Sequence, residues 1–162
     1  MDYNYPATLK ASIESGVGKV DWLHTQQFAL EREVTKERFQ EIYQQSSSCV
    51  LLTVKVSYEF MPDFTGISVK GGVNMWPRSD QLRELSGTAK RKDSVSMNNR
   101  IYYAALEVKK KLDLDGVKGK AAIDVLAEDN AAGVRKALNE ATEELTSLIV
   151  EDLNKSAGRR ST

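Results

Sequence analysis

An eleven-residue stretch of alternating apolar and polar residues constrains the fold of this chain more than any other feature. On one face of an extended chain it places six apolar side chains, those of Val50, Leu52, Val54, Val56, Tyr58 and Phe60. The opposite face carries Thr53, Lys55, Ser57 and Glu59. Such period-two alternation is typical of a β-strand with one face against a core and the other in water. The stretch therefore predicts a strand over 50–60 whose polar face is not covered by helices.

The following segments predict that this strand belongs to an antiparallel meander. A turn-rich connection over 61–66 leads into renewed alternation, which ends at Trp76-Pro77. Residues 100–112 fit two patterns, a strand buried on both faces and an amphipathic helix. The strand is favoured because this aromatic and apolar cluster follows a long polar loop.

Three segments predict helices. A short one runs from Pro6 to Ser15, and a second begins at Thr35, a residue suited to the N-cap. The longest comes last and carries an apolar stripe with a period of 3.6 residues. Residues 121–126 extend it upstream, with Asp129-Asn130 as an internal irregularity or a new N-cap. The stripe consists of Val134, Ala137, Leu138, Ala141, Leu145, Leu148, Ile149 and Leu153.

These elements predict an α+β fold with two layers. We expect a mainly antiparallel sheet of three or more strands, with two or three helices packed on one face. A chain of 162 residues is long enough for one domain with a real core. The predicted domain spans 1–162, with an ordered core over 6–154, an exposed excursion over 78–99 and a frayed tail over 156–162.

The charges sum to zero but are unevenly distributed. A neutral chain lacks the basic excess of a dedicated nucleic-acid binder, so no nucleic-acid partner is expected. Residues 80–120 hold ten Lys and Arg against six Asp and Glu, whereas residues 121–154 hold two against eight. The favoured interpretation is a solvated basic segment that complements the acidic last helix. A site for phosphate, anionic lipid or an acidic partner is the alternative.

Single cysteine and histidine residues exclude an intrachain disulfide and a four-cysteine zinc site. Cys49 is expected to be a small buried side chain and His24 a surface residue. A Cys49/His24 dyad is an alternative that their spacing does not support. Val20, Trp22 and Phe28 are expected in the core. No cofactor and no metal site is expected.

Two carboxylate pairs are candidates for acid–base chemistry. Glu59 and Asp63 flank one turn, and Glu140 and Glu144 lie one helical turn apart. We favour surface positions for both pairs, because neither lies in a recognisable catalytic motif.

Aromatic residues near the first hairpin form the candidate contact surface. It comprises Tyr58, Phe60, Phe64 and Trp76, together with the turn residue Asp63. Aromatic side chains near turns can act as interface anchors. The favoured interpretation is nevertheless that they close one end of the core, and the contact surface is the alternative to be tested.

The N-terminal residues lack the basic and apolar regions of a secretory signal, and no stretch approaches the roughly 18 apolar residues of a membrane span. Two interpretations are consistent with this N-terminus: a cytoplasmic protein, or a mature envelope domain whose targeting peptide has been removed. Membrane attachment is then expected only through a lipid anchor that has been removed.

The order of elements and several short phrases resemble the soluble domain of small, mostly uncharacterised bacterial envelope lipoproteins. The phrases are Cys49 to Tyr58, Pro62-Asp63-Phe64, Met75-Trp76-Pro77, Asn99 to Tyr103 and Leu145 to Leu153. This resemblance implies a helix-backed sheet in the periplasm that works through contacts with envelope components. It carries over no functional residue.

The leading expectation is a non-enzymatic, envelope-associated domain that binds protein partners or associates with itself. One alternative is a small hydrolase or transferase that uses carboxylates in a cleft. Another is a cytoplasmic adaptor or phage-assembly subunit.

Overall fold

The protein is represented by a computed structural model, which describes residues 3–24 and 27–158. Its helices are α1 (Tyr5–Val17), α2 (Lys36–Gln45), α3 (Asp80–Leu85) and α4 (Lys120–Gly158). Its strands are β1 (Val50–Phe60), β2 (Gly66–Pro77) and β3 (Tyr102–Lys111). Short 3₁₀ turns occupy Pro62–Phe64 and Met97–Asn99.

The three strands form one antiparallel sheet in the order β1-β2-β3, with β2 in the centre. The hairpin between β1 and β2 closes where Met61 N donates to Gly66 O at 2.8 Å. Beside it, Leu112 N donates to Thr65 O at 3.0 Å and joins β3 to β2. The α+β fold, with helices packed on the sheet, is therefore confirmed, and so is the strand interpretation of residues 100–112.

The described residues group into two compact units. One contains the described parts of 1–30, 56–71 and 106–162, and the other contains 31–55 and 72–105.

The core of the first unit lies between α1, α4 and the sheet. Ile67 and Val69 on β2 are almost completely buried, as is Leu145 on α4. A β-carbon placed on Gly71 would lie 3.1 Å from the Leu145 methyl groups, so α4 approaches the strand backbone closely at this point. Most of the predicted stripe is buried, namely Ala137, Leu138, Ala141, Leu145, Ile149 and Leu153.

Helix α1 packs on α4 through small and hydroxyl side chains. Gly16 lies inside the helix, and a β-carbon there would clash with Thr146 Cγ2. The Ser12 and Thr146 hydroxyls share a hydrogen bond of 2.8 Å, and those of Tyr5 and Thr142 share one of 3.0 Å. Only glycine allows this close approach of the two helices.

Helix α4 contains the irregularity that the sequence indicates. Asp129, Asn130 and Ala131 have φ angles of 49°, 59° and 59°. These left-handed residues separate a short first segment from the long apolar stripe, since L-residues in this conformation do not continue a right-handed helix.

The second unit is built around buried aromatic residues. Thr35 caps α2 as expected, and its hydroxyl accepts from Arg38 N at 3.1 Å. Phe39 on α2 packs edge-on against Trp76 on β2, with ring centroids 5.2 Å apart. The indole N–H of Trp76 donates to Ser96 O at 3.0 Å, so the segment 78–99 is tied to this aromatic pair although most of its residues are exposed.

Several expectations about single residues are wrong. Cys49 is exposed, because it precedes β1 at the edge of the sheet and uses its carbonyl to accept from Arg78 N. Trp22 is 42% exposed, since it lies in the irregular segment after α1. On β3, Ala104 and Val108 are buried but Tyr103 and Ala105 are exposed, so only one face is covered.

Other expectations hold. His24 is exposed and Val20 is buried. By contrast, the frayed tail predicted over 156–162 is wrong for residues 156–158, because these continue α4, and residues 159–162 lie outside the described residues.

Candidate contact surface at the end of β1

The last residues of β1 present aromatic side chains to solvent. Tyr58 is 53% exposed and Phe60 is 43% exposed, although alternation places both on the apolar side of the strand. Ser57, Tyr58, Glu59 and Phe60 are all exposed, so neither side of the strand is well covered there. Exposed aromatic residues next to one another are unusual on a surface that binds nothing.

Ring contacts hold these aromatic side chains in place. Tyr58 meets Tyr5 of α1 edge-on, with ring centroids 5.2 Å apart. Phe60 meets Phe64 at 5.4 Å in the same kind of geometry. Such pairs are favourable arrangements of aromatic quadrupoles, so the surface is ordered before any partner binds.

The turn after β1 brings Phe64 beside Phe60. Asp63 and Phe64 both have φ of 56°, and the Thr65 hydroxyl donates to Pro62 O at 3.0 Å. Gly66 is required next, because a β-carbon there would lie 2.6 Å from Lys110 O. We call Tyr58, Phe60, Asp63 and Phe64 the hairpin surface.

Trp76 does not belong to the hairpin surface. It is 2% exposed and lies near the C-terminal end of β2, whereas the turn that carries Phe64 precedes the N-terminal end of this strand. Alternation alone could not separate these aromatic residues, because it does not tell which end of a strand is covered.

Three of the four carboxylates in the predicted pairs form salt bridges with lysines. Glu59 lies 2.5 Å from Lys70, Glu144 lies 2.5 Å from Lys110, and Glu140 lies 3.9 Å from Lys136. The hydrogen bonds to Glu59 and Glu144 raise the pKa of Lys70 and Lys110 above the usual value. Lys110 thus connects the basic segment to the acidic last helix, as the favoured interpretation of the charge distribution predicts.

A polar cluster in the second unit was missed from the sequence. The Tyr43 hydroxyl lies within hydrogen-bond distance of Asp93 and Pro77 O, which share its single proton, and the Arg78 guanidinium lies 4.7 Å from the Tyr43 ring centroid. Burial, followed by the hydrogen bond to Asp93, raises the pKa of Tyr43 to about 12. No sequence signal could have joined residues that lie so far apart along the chain.

Each unit carries a shallow depression on its described surface. One, of about 450 Å³, lies between α1 and α4 and is lined by polar, charged and apolar residues, among them Ser12, Glu143 and Val150. The other, of about 470 Å³, lies in the second unit and includes Arg91 and Lys92. Among residues 3–24 and 27–158, no three His, Cys, Asp or Glu side chains are grouped as a metal site requires.

In the described part of the chain, no helix combines the length and apolar character needed to cross a bilayer. Comparison of the chain with protein-family models, curated proteins and solved structures gave no match.

Proposed function

We propose that this protein is a non-enzymatic, envelope-associated domain that acts through protein–protein contacts at the hairpin surface. The exposed aromatic pair Tyr58 and Phe60, at the end of an edge strand, is the observation that carries this proposal. Aromatic side chains held by neighbouring rings lose little conformational freedom on binding, which makes them effective anchors.

Site-specific photocrosslinking tests the contact surface. A benzophenone-bearing residue replaces Phe60 or, as a matched control, Tyr103, which is 56% exposed on β3. In cells that produce the natural gene product, we expect discrete protein adducts from position 60 and none from position 103. Adducts at neither position, or equally at both, contradict a specific contact at the hairpin surface.

The envelope assignment rests on the resemblance to lipoprotein domains and has its own test. Cells that express the natural gene are fractionated, and the N-terminus of the isolated protein is determined by mass spectrometry. We expect the protein in the envelope fraction with a processed, lipid-modified N-terminus. An unprocessed protein in the cytoplasmic fraction overturns the assignment without affecting the contact surface.

A further inference from the structure

The two edge strands of the sheet, β1 and β3, differ in how strongly their side chains disfavour pairing with another strand. In β3, four of ten residues are charged, and three of these are the consecutive Lys109, Lys110 and Lys111. In β1, only Lys55 and Glu59 are charged among eleven residues. Charged side chains, lysines above all, protect natural edge strands from pairing. The edge formed by β1 is therefore the one open to an added strand.

The backbone of β1 determines how an added strand can bind. Met61 N and Cys49 O, which flank the strand, both bond to the β2 side, so odd-numbered residues direct their backbone groups toward β2. Even-numbered residues, among them Val54, Val56, Tyr58 and Phe60, direct theirs to the outer edge. An antiparallel partner with the same sequence must then pair even-numbered residues with even-numbered ones.

We infer that β1 pairs with β1 of a second copy of this chain, antiparallel and with Ser57 on the two-fold axis. This register places Lys55 opposite Glu59 of the second copy, and Glu59 opposite its Lys55. If the two-fold axis lies on residue 56 or 58 instead, both ion pairs are lost. If it lies on residue 55 or 59, like charges lie opposite one another. Within the described residues Lys55 forms no salt bridge, whereas Glu59 already pairs with Lys70 of its own chain, so the paired state places Glu59 between two lysines.

The apolar side of β1 is complementary to itself in the same register. Val56 lies opposite Tyr58 of the second copy, and Val54 lies opposite its Phe60. Pairs of β-branched and aromatic residues across strands stabilise antiparallel sheets. The pairing covers the two exposed aromatic side chains and joins two three-stranded sheets into one of six strands, a common size.

This inference rests on the proposed function, since it names a second copy of the chain as the partner of the hairpin surface. The photocrosslinking experiment separates the two ideas. Adducts of twice the chain mass at position 60 support self-pairing, and adducts with a different protein overturn self-pairing while leaving the proposed function in place. The absence of adducts overturns both.

A charge-exchange experiment on the whole chain tests the register. The variants Lys55→Glu and Glu59→Lys each place like charges opposite one another in the paired state. We expect the wild-type protein to sediment at twice its 18.1 kDa mass, and each variant alone to dissociate about tenfold more readily or worse. An equimolar mixture of the variants restores opposite charges at both positions between the chains, so its dissociation constant falls well below that of either variant and approaches the wild-type value.

The mixture guards against a folding defect, because two misfolded chains do not restore association with each other. Lys109→Glu, which makes the same change of charge on β3, serves as the control and leaves the dissociation constant unchanged. A wild-type protein that stays monomeric at every concentration overturns the inference. So does association that is the same in all variants and in their mixture.

Discussion

At the scale of single residues, Tyr43 anchors the second unit. Its ring is 2% exposed, and its hydroxyl lies within hydrogen-bond distance of both Pro77 O at the end of β2 and Asp93 in the segment 78–99. The sequence does not indicate these polar contacts, because they depend on a loop whose path has no periodic signal.

Removing the Tyr43 hydroxyl tests its role as an anchor. We expect Tyr43→Phe to lower the free energy of unfolding by about 1–3 kcal/mol, because Pro77 O and Asp93 lose the donor that they share. Urea unfolding at neutral pH measures the loss. Tyr103→Phe, on an exposed ring, is the matched control and should stay within about 0.5 kcal/mol of wild type.

The raised pKa of Tyr43 predicts how stability changes in alkali. In the unfolded chain the phenol ionises near its usual pKa of 10, whereas in the folded protein its pKa is about 12. Its contribution to stability is therefore complete below pH 10 and is lost as the pH rises through 12. Between these values the free energy of unfolding should fall more steeply for wild type than for Tyr43→Phe. Parallel curves would contradict the assignment.

The close packing at Gly16 makes a second prediction at this scale. Gly16→Ala should cost about 1–3 kcal/mol of stability, because the new methyl group meets Thr146 Cγ2. Thr146→Ser removes that Cγ2 and keeps the hydroxyl, so Gly16→Ala should cost much less in its presence. Gly133→Ala on α4 meets nothing within 4 Å and should gain up to about 1 kcal/mol from helix propensity. Urea unfolding of these variants shows whether the contact between Gly16 and Thr146 causes the loss of stability.

At the scale of elements, the helices and strands could be predicted from their periodicity. The irregular positions within and between them could be predicted only in part. Strand β1 was predicted with its bounds because apolar and polar side chains alternate along 50–60. The prediction that Cys49 is buried was wrong. The apolar run that begins at Cys49 extends beyond the covered part of this edge strand, so Cys49 is exposed.

The kink in α4 is the element-scale feature with the sharpest test. Ala131 has a φ of 59°, which costs an L-residue about 1–2 kcal/mol and costs glycine little. Ala131→Gly should therefore raise the melting temperature by about 2–4 °C. Ala132→Gly, one residue later and outside the left-handed run, should lower it. Calorimetry on both variants distinguishes a kinked helix from a continuous one, in which both substitutions destabilise.

At the scale of the whole molecule, the fold class could be predicted from periodicity, but the location of the candidate site could be predicted only in part. Tyr58, Phe60 and Phe64 do gather at the hairpin, since they are close in sequence and the turn joins them. Trp76 does not, because burial at the end of β2 depends on α2 and on the segment 78–99. The edge position of β1 follows from strand order, which alternation does not encode.

Disulfide trapping at the two-fold axis tests the central claim, that β1 is a pairing edge, most directly. In a Cys49→Ser background, Ser57→Cys places two thiols at a non-hydrogen-bonded pair, where Cα atoms lie about 4.5 Å apart, within the range of a disulfide. Thr53→Cys, on the same face four residues away, is the control. With oxidised glutathione we predict a covalent dimer from position 57 and none from position 53. Equal trapping at both positions, or none at position 57, would contradict the account.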